Sequence, residues 1–217
     1  MLRFCHWFVG LDCWTITGHA DETIRQRKAA INWFFLESHF ELISYYKIVA
    51  TAGQEATTNA VTGGTCAGHK PWATKKATEN LCDDAIKLAV EEMIRWSTPI
   101  AQFSRTAQVD CEIRGKQIKK GDCLGLMYAS ANFDEEKFDN PFSFDVSRKP
   151  NHHLAFGTGP HQCLGLLLAR LEMRIFFQQL IPRIESIELD GDPERLRASF
   201  VHGLKHLNIR YKLKPRS

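Results

Sequence analysis

Ten residues constrain this chain more than any others: Phe156-Gly157-Thr158-Gly159-Pro160-His161-Gln162-Cys163-Leu164-Gly165. Glycines at 157 and 159 let the backbone turn tightly and come close to a flat ligand. The apolar run that follows, Leu164 to Leu180 with Pro182 beyond it, reads as a long helix. Cys163 therefore sits just ahead of a helix start, where the positive end of the dipole favours thiolate over thiol. Backbone N–H groups at such a start can donate to the sulfur and tune its basicity. A cysteine considered alone is more often a buried structural residue in a glycine-rich turn. The full pattern of Phe, Gly, Cys and Gly is rarer, with a chance match in this length on the order of one in a thousand, given glycine near ~7% of residues.

Upstream, the pattern alternates between helical and hairpin signals. Leu42, Ile43, Tyr46, Ile48 and Val49 lead into Thr51-Ala52-Gly53-Gln54-Glu55-Ala56-Thr57-Thr58, a helix expected to end at Gly63-Gly64. Gly53 costs that helix roughly 1 kcal/mol relative to Ala, and its presence suggests that something approaches the backbone there. The stretch Thr65 to Asp84 reads as polar and irregular. Ala85 to Trp96 is a firm amphipathic helix, with Ile86, Ala89, Val90, Met93 and Ile94 apolar and Pro99 beyond its end. Alternating segments at 103–109, 111–113 and 124–128, punctuated by Gly115 and Lys120-Gly121-Asp122, predict a small sheet of hairpins. Ser186 to Leu189 and Leu207 to Tyr211 predict a closing pair of strands.

Composition narrows the function classes. The net charge of +3 is too small to argue for nucleic acid. No apolar run approaches the ~20 residues of a membrane helix, and the aromatic opening lacks a secretory cleavage pattern. Seven cysteines, odd in number and without a repeating spacing, fit a reducing cytoplasm better than a disulfide framework. A zinc site from His152, His153, His161 and Cys163 matches no usual ligand spacing; His152 and His153 read as structural.

Glu92-Met93-Ile94-Arg95 places an acid and a base at i,i+3 on one helix face. Alone, such a pair is usually a solvated ion pair worth less than about 1 kcal/mol. Together with the cysteine motif it is more informative, because the chain then resembles the cytochrome P-450 family, whose iron is held by a cysteine thiolate. The likeness runs from about Tyr45 to Gly64 and from about Leu88 to Tyr211, and includes Ala129-Ser130-Ala131-Asn132-Phe133-Asp134.

The resemblance implies a mainly α fold with small β-sheets, the C-terminal portion of the P-450 fold with the N-terminal half missing. Residues 1–40 are unassigned, and 41–217 form a partial haem domain in which 65–87 match poorly. It implies haem b with Cys163 as the iron ligand, and a cofactor site that includes Phe156, Gly157 and Gly165. His161 and Arg105 are candidate partners of the haem propionates, although Arg105 also fits an exposed strand arginine. Glu92 and Arg95, completed by Arg148, would form a buried structural network.

On the oxygen-binding helix the family has an acid followed directly by threonine, a pair that relays protons. Here Glu55 is followed by Ala56, and Thr57 stands one residue later, about 100° further round the helix. Thr57, a water or a substrate hydroxyl would complete the relay. The implied activity is insertion of one oxygen atom from dioxygen into a small hydrophobic substrate, with electrons from a ferredoxin-type donor. The expected form is truncated, and the alternative is a non-catalytic haem-binding or misassembled remnant. A metal-binding or helical interaction module unrelated to haem is the remaining reading.

Overall fold

Helix α2 (Asp83–Ser97) organises the described part of the chain, because two of its faces are buried for different reasons. In the computed structural model, residues 39–68 and 83–215 are described. Asp83 and Asp84 stand in the first turn of α2 and Arg95 in the last, each matched to the helix dipole. Ile86, Ala89, Val90, Met93 and Ile94 form an apolar stripe at helical spacing, and every one of them is buried.

Two compact units divide at Thr58/Asn59. Helix α1 (His39–Gly68) runs through the division. In the first unit the described residues, 39–58, are all helical, so the helix expected from Leu42 onward begins three residues earlier, at His39. No described residue comes within 4 Å of where a Gly53 side chain would begin, so the close approach suggested at that glycine is not made by the described protein.

The remaining elements belong to the second unit. Strands β1 (Gln102–Thr106) and β4 (Cys123–Met127) pair antiparallel, as do β2 (Cys111–Ile113) and β3 (Lys116–Ile118). A short helix, α3 (Tyr128–Asn132), follows, then a long loop and a single 3-10 turn at Gly159–His161. Helix α4 (Leu166–Leu180) leads through a second 3-10 turn at Ile181–Arg183 into β5 (Ile184–Leu189). β5 pairs with β8 (Ile209–Leu213), and β6 (Glu194–Arg195) with β7 (Leu204–His206), all antiparallel. The result is mainly helical with four two-stranded sheets among the described residues. None of the described helices is long and apolar enough to cross a membrane.

The core of this unit lies between α2 and α4, with the end of α1 beside it. Ala60, Ile86, Ala89, Val90, Met93, Ile94, Phe144, Val146, Met173 and Phe177 pack together. Removing side chains such as Met173 and Phe177 from water contributes roughly 1.5–3 kcal/mol each.

Two readings of α1 are corrected. The helix does not end at Gly63-Gly64 but continues to Gly68. The glycines are there for proximity: a methyl group at Gly64 would lie 2.7 Å from Met93 Cβ, and one at Gly63 would lie 2.8 Å from Ser97 Cβ. They bring α1 against α2 rather than break it. The irregular stretch expected from Thr65 to Asp84 is likewise helical at both described ends, with 69–82 outside the described residues. The expectations for 1–38 also lie outside them.

Candidate functional site

Glu92 is the centre of the most buried polar cluster described. Its side chain and that of Arg95 are both 0% exposed. Arg95 Nε donates to Glu92 Oε2 and Nη2 to Oε1, both at 2.8 Å, a fork-on-fork pair that i,i+3 spacing makes geometrically direct. Arg148 Nε donates to Oε2 at 3.1 Å, Asn151 Nδ2 to the same oxygen at 3.1 Å, and the Asp145 N–H to Oε1 at 3.0 Å. The remaining donors of the two guanidinium groups go to main-chain carbonyls. Arg95 Nη1 reaches Asn132 and Pro141 at 2.8 and 3.0 Å; Arg148 reaches Asp139, Asn140 and Ser143 at 2.7, 3.2 and 2.9 Å. The cage thus fastens the loop 139–151 onto α2, with one carboxylate shared by two guanidinium groups and main-chain carbonyls accepting from the nitrogens it does not reach.

Asn132 links the cage to the next loop. Its Nδ2 donates to Thr98 Oγ1 at 2.9 Å, and its Oδ1 accepts the Leu154 N–H at 2.6 Å. Nothing in the sequence singled out Asn132 for this. Its one sequence signal was its place in Ala129-Ser130-Ala131-Asn132-Phe133-Asp134, a stretch that shares the family likeness.

From Leu154 the chain enters the cysteine turn. The Gly157 N–H donates to the Leu154 carbonyl at 2.8 Å, and the Cys163 N–H to the Phe156 carbonyl at 2.9 Å. Gly157 has φ +66° and Gly159 φ +76°, a region that glycine enters freely. A methyl group at Gly157 would also meet Tyr128 Oη at 3.0 Å, so both conformation and contact require glycine. Tyr128 in turn lies 6.0 Å, centroid to centroid, from Phe103 on β1. Arg105 stands two residues along that strand, on the same face as Phe103. This path sets β1 beside the cysteine turn.

Cys163 is exposed, and α4 begins at Leu166 with Gly165 as its N-cap. The regular helix therefore starts two residues later than Leu164, the position expected from the sequence. A side chain begun at Gly165 would touch Cys163 Sγ at 4.0 Å, which places the sulfur over the helix entry. The Leu166 N–H is directed to the Cys163 carbonyl at 3.4 Å. His161 is exposed in the 3-10 turn. Arg105 is half-buried and donates to the carbonyl of its neighbour Ser104 at 2.9 Å. Around the cysteine, Leu164, Leu167 and Leu168 are 89, 76 and 58% exposed, an apolar surface that the described residues leave uncovered.

Behind the turn lies a second carboxylate that sequence reasoning missed. Glu91 Oε1 accepts from Arg170 Nε at 2.6 Å, and Oε2 accepts from Arg170 Nη2 at 2.8 Å and from His153 Nε2 at 3.0 Å. The Ala155 N–H faces His153 Nδ1 at 3.3 Å, so that nitrogen accepts and the ring carries its proton on Nε2. Burial pushes the Glu91 carboxyl upward, but the bonds from His153 and Arg170 outweigh it and hold the group at about 2. His153 is thus committed to Glu91. Among the described residues no cluster of His, Cys, Asp and Glu could hold a metal ion.

Glu55 and Thr57 belong to the other unit. Thr57 is buried and Glu55 exposed. Two positions on one helix stand about 200° apart, so the two groups leave α1 on different sides, with Ala56 between them.

The family model of cytochrome P-450 matches residues 85–213. Cytochrome P-450-terp of a Pseudomonas species is 45% identical over 168 residues, covering 77% of this chain and 39% of that protein. A steroid C26-monooxygenase of Rhodococcus jostii is 42% identical, over 76% of this chain and 35% of its own length. The crystal structure of CYP108D1 from Novosphingobium aromaticivorans superposes with a TM-score of 0.74 at 43% identity, covering 78% of this chain and 41% of that one. The chain thus spans about two fifths of the length of the relatives it matches. The matched region contains the Glu92 cage, the cysteine turn and the helix that follows it, and it is more than half of the chain. The chain belongs to the cytochrome P-450 family.

Proposed function

We propose that this chain forms the proximal side of a haem-thiolate site, with Cys163 as the iron ligand, in a monooxygenase acting on a small hydrophobic substrate. The observation that carries the reading is the cysteine turn itself. Cys163 is exposed, its N–H is fixed to the Phe156 carbonyl at 2.9 Å, and the turn begins where the buried Glu92 cage ends. Family membership implies a haem-iron cofactor, and the donor set fits it. One solvent-facing thiol is flanked by uncovered leucines that a large apolar macrocycle would bury. Arg105 and His161 have no acidic partner among the described residues and suit the two propionates.

In this reading Phe156, Gly157 and Gly165 shape the turn, and Glu92, Arg95 and Arg148 hold the loop that leads into it. Bound haem would supply dioxygen activation, with electron donation from the thiolate favouring O–O cleavage. The residues 41–217 would constitute the partial haem domain. A ferredoxin-type protein would deliver electrons near Cys163. Thr57, buried on α1, would hold a proton donor's place, with a water or substrate hydroxyl linking it to Glu55 because the helix separates the two.

A second reading is a chain that binds haem without turnover. The chain spans about two fifths of the length of its relatives, and this favours it, since a haem held by part of a pocket is open to water. Incubation of the haem-supplemented chain with a ferredoxin-type donor, isotopically labelled dioxygen and a panel of small hydrophobic compounds separates the two. One labelled oxygen atom in a product supports the monooxygenase. Bound haem with reductant consumed and no labelled product supports the remnant.

A further inference from the structure

Glu91 and Glu92 are neighbours on α2, so their side chains leave the helix about 100° apart. Glu92 enters the cage, whereas Glu91 meets the cysteine turn from behind. Arg170, on the first full turns of α4, grips Glu91 with two hydrogen bonds of 2.6 and 2.8 Å. The same guanidinium lies over the ring of Phe156, 4.7 Å from its centroid. His153 holds the other side of Glu91 at 3.0 Å, and its ring centroid is 5.9 Å from that of Phe156. Phe156 is therefore held from two directions by groups anchored on one carboxylate. Its carbonyl is the acceptor of the Cys163 N–H.

We propose that Glu91, His153 and Arg170 are positioning residues that set the geometry of the Cys163 ligand through Phe156. The proposal rests on Cys163 being the haem ligand, and it assigns the three residues no contact with the reacting atoms. Arginine suits the place because only a planar fork can bond Glu91 twice while stacking its face on an aromatic ring. The His153 side chain is 2% exposed, which shields its contact from salt, whereas Arg170, at 33%, stays partly open to solvent. A merely structural clamp between α2 and α4 would have no need of Phe156; the cation–π contact is what directs the cluster at the ligand.

The test uses the full chain with Arg170→Gln, Arg170→Lys and Phe156→Leu. Amide hydrogen exchange on the haem-free protein reads the Cys163 N–H directly. The expected result is exchange several-fold faster at Cys163 in Arg170→Gln, partly restored in Arg170→Lys, with β1 to β4 unchanged. Loading with haem gives the second readout, the lifetime of the thiolate-type band of the reduced carbon monoxide complex. It should shorten several-fold in Arg170→Gln, and Phe156→Leu should add little to that loss because both act on one path. A lowered melting temperature with unaltered Cys163 exchange and an unaltered band would overturn the proposal in favour of a simple clamp. Should the unsubstituted protein show no thiolate band, the haem reading fails and the exchange comparison still decides whether the cluster orders the turn. If Arg170→Gln does not fold, Arg170→Lys, which keeps charge and bulk, carries both readouts.

Discussion

Arg95 and Glu92 exclude solvent from each other completely: both side chains are 0% exposed, and two 2.8 Å hydrogen bonds join them. Their environment explains how such a pair is tolerated. Every charged donor has a carbonyl or carboxylate acceptor, and the Arg95 guanidinium carbon lies 5.1 to 5.7 Å from the ring centroids of Phe133, Phe138 and Trp96. A cage this closed tolerates the loss of neither partner.

Glu92→Gln is expected to destabilise the chain by about 3–5 kcal/mol, because two buried guanidinium groups then lack their anion. Arg95→Leu should cost a similar amount, and the double substitution less than the sum. Urea unfolding followed by far-UV circular dichroism measures all three. Additive losses would show that the two residues act independently.

Gly64→Ala should destabilise although alanine is the better helix former. The gain of ~1 kcal/mol in propensity is outweighed by a methyl group set 2.7 Å from Met93 Cβ, with overpacking costing about 1–3 kcal/mol. Gly53→Ala meets nothing within 4 Å among the described residues and should stabilise the haem-free chain by up to ~1 kcal/mol. Thermal melts of the two variants should therefore move in opposite directions.

Glu91 gives the folded chain an acid-dependent component. Its carboxyl is held at about 2 in place of an ordinary 4.5. A carboxyl lowered by folding stabilises fully above its unfolded value, and the contribution disappears as pH falls through the folded one. After screening at a partly exposed site, about 2 kcal/mol should separate the unsubstituted chain from Glu91→Gln at neutral pH. That gap should narrow as the pH drops from about 4.5 toward 2. A gap independent of pH would mean that Glu91 acts by packing and not by charge.

On the monooxygenase reading, Ala56→Thr places a hydroxyl directly after Glu55 on α1 and should raise the ratio of product formed to reductant consumed. Peroxide release per product should fall. Both are measured on the haem-loaded chain with a turning-over substrate; an unchanged ratio would show that Ala56 does not limit proton delivery.

Much of this arrangement was legible in the sequence, and the reasons differ by element. α2 and α4 carry apolar residues at helical spacing, so their existence followed from periodicity, and α4 was misplaced only at its start, where Gly165 and not a capping side chain sets the boundary. The third member of the Glu92 cage, Arg148, is 56 residues distant in the chain, and only family likeness could propose it. Gly63 and Gly64 misled, because a glycine pair looks the same whether it ends a helix or lets another helix approach. Glu91 was hidden beside its more conspicuous neighbour. Its partners, His153 and Arg170, lie 62 and 79 residues away, and no local pattern announces a contact of that span. The pairing of β6 with β7 was missed for a simpler reason, since a two-residue strand carries no alternation to read.

The central claim, that Cys163 is a haem-thiolate ligand, is tested most directly by the carbon monoxide difference spectrum of the purified, haem-supplemented, dithionite-reduced chain beside Cys163→Ala. The account predicts a red-shifted thiolate-type Soret band that disappears in the variant. Haem that binds without such a band, or a band that survives the loss of Cys163, would contradict it.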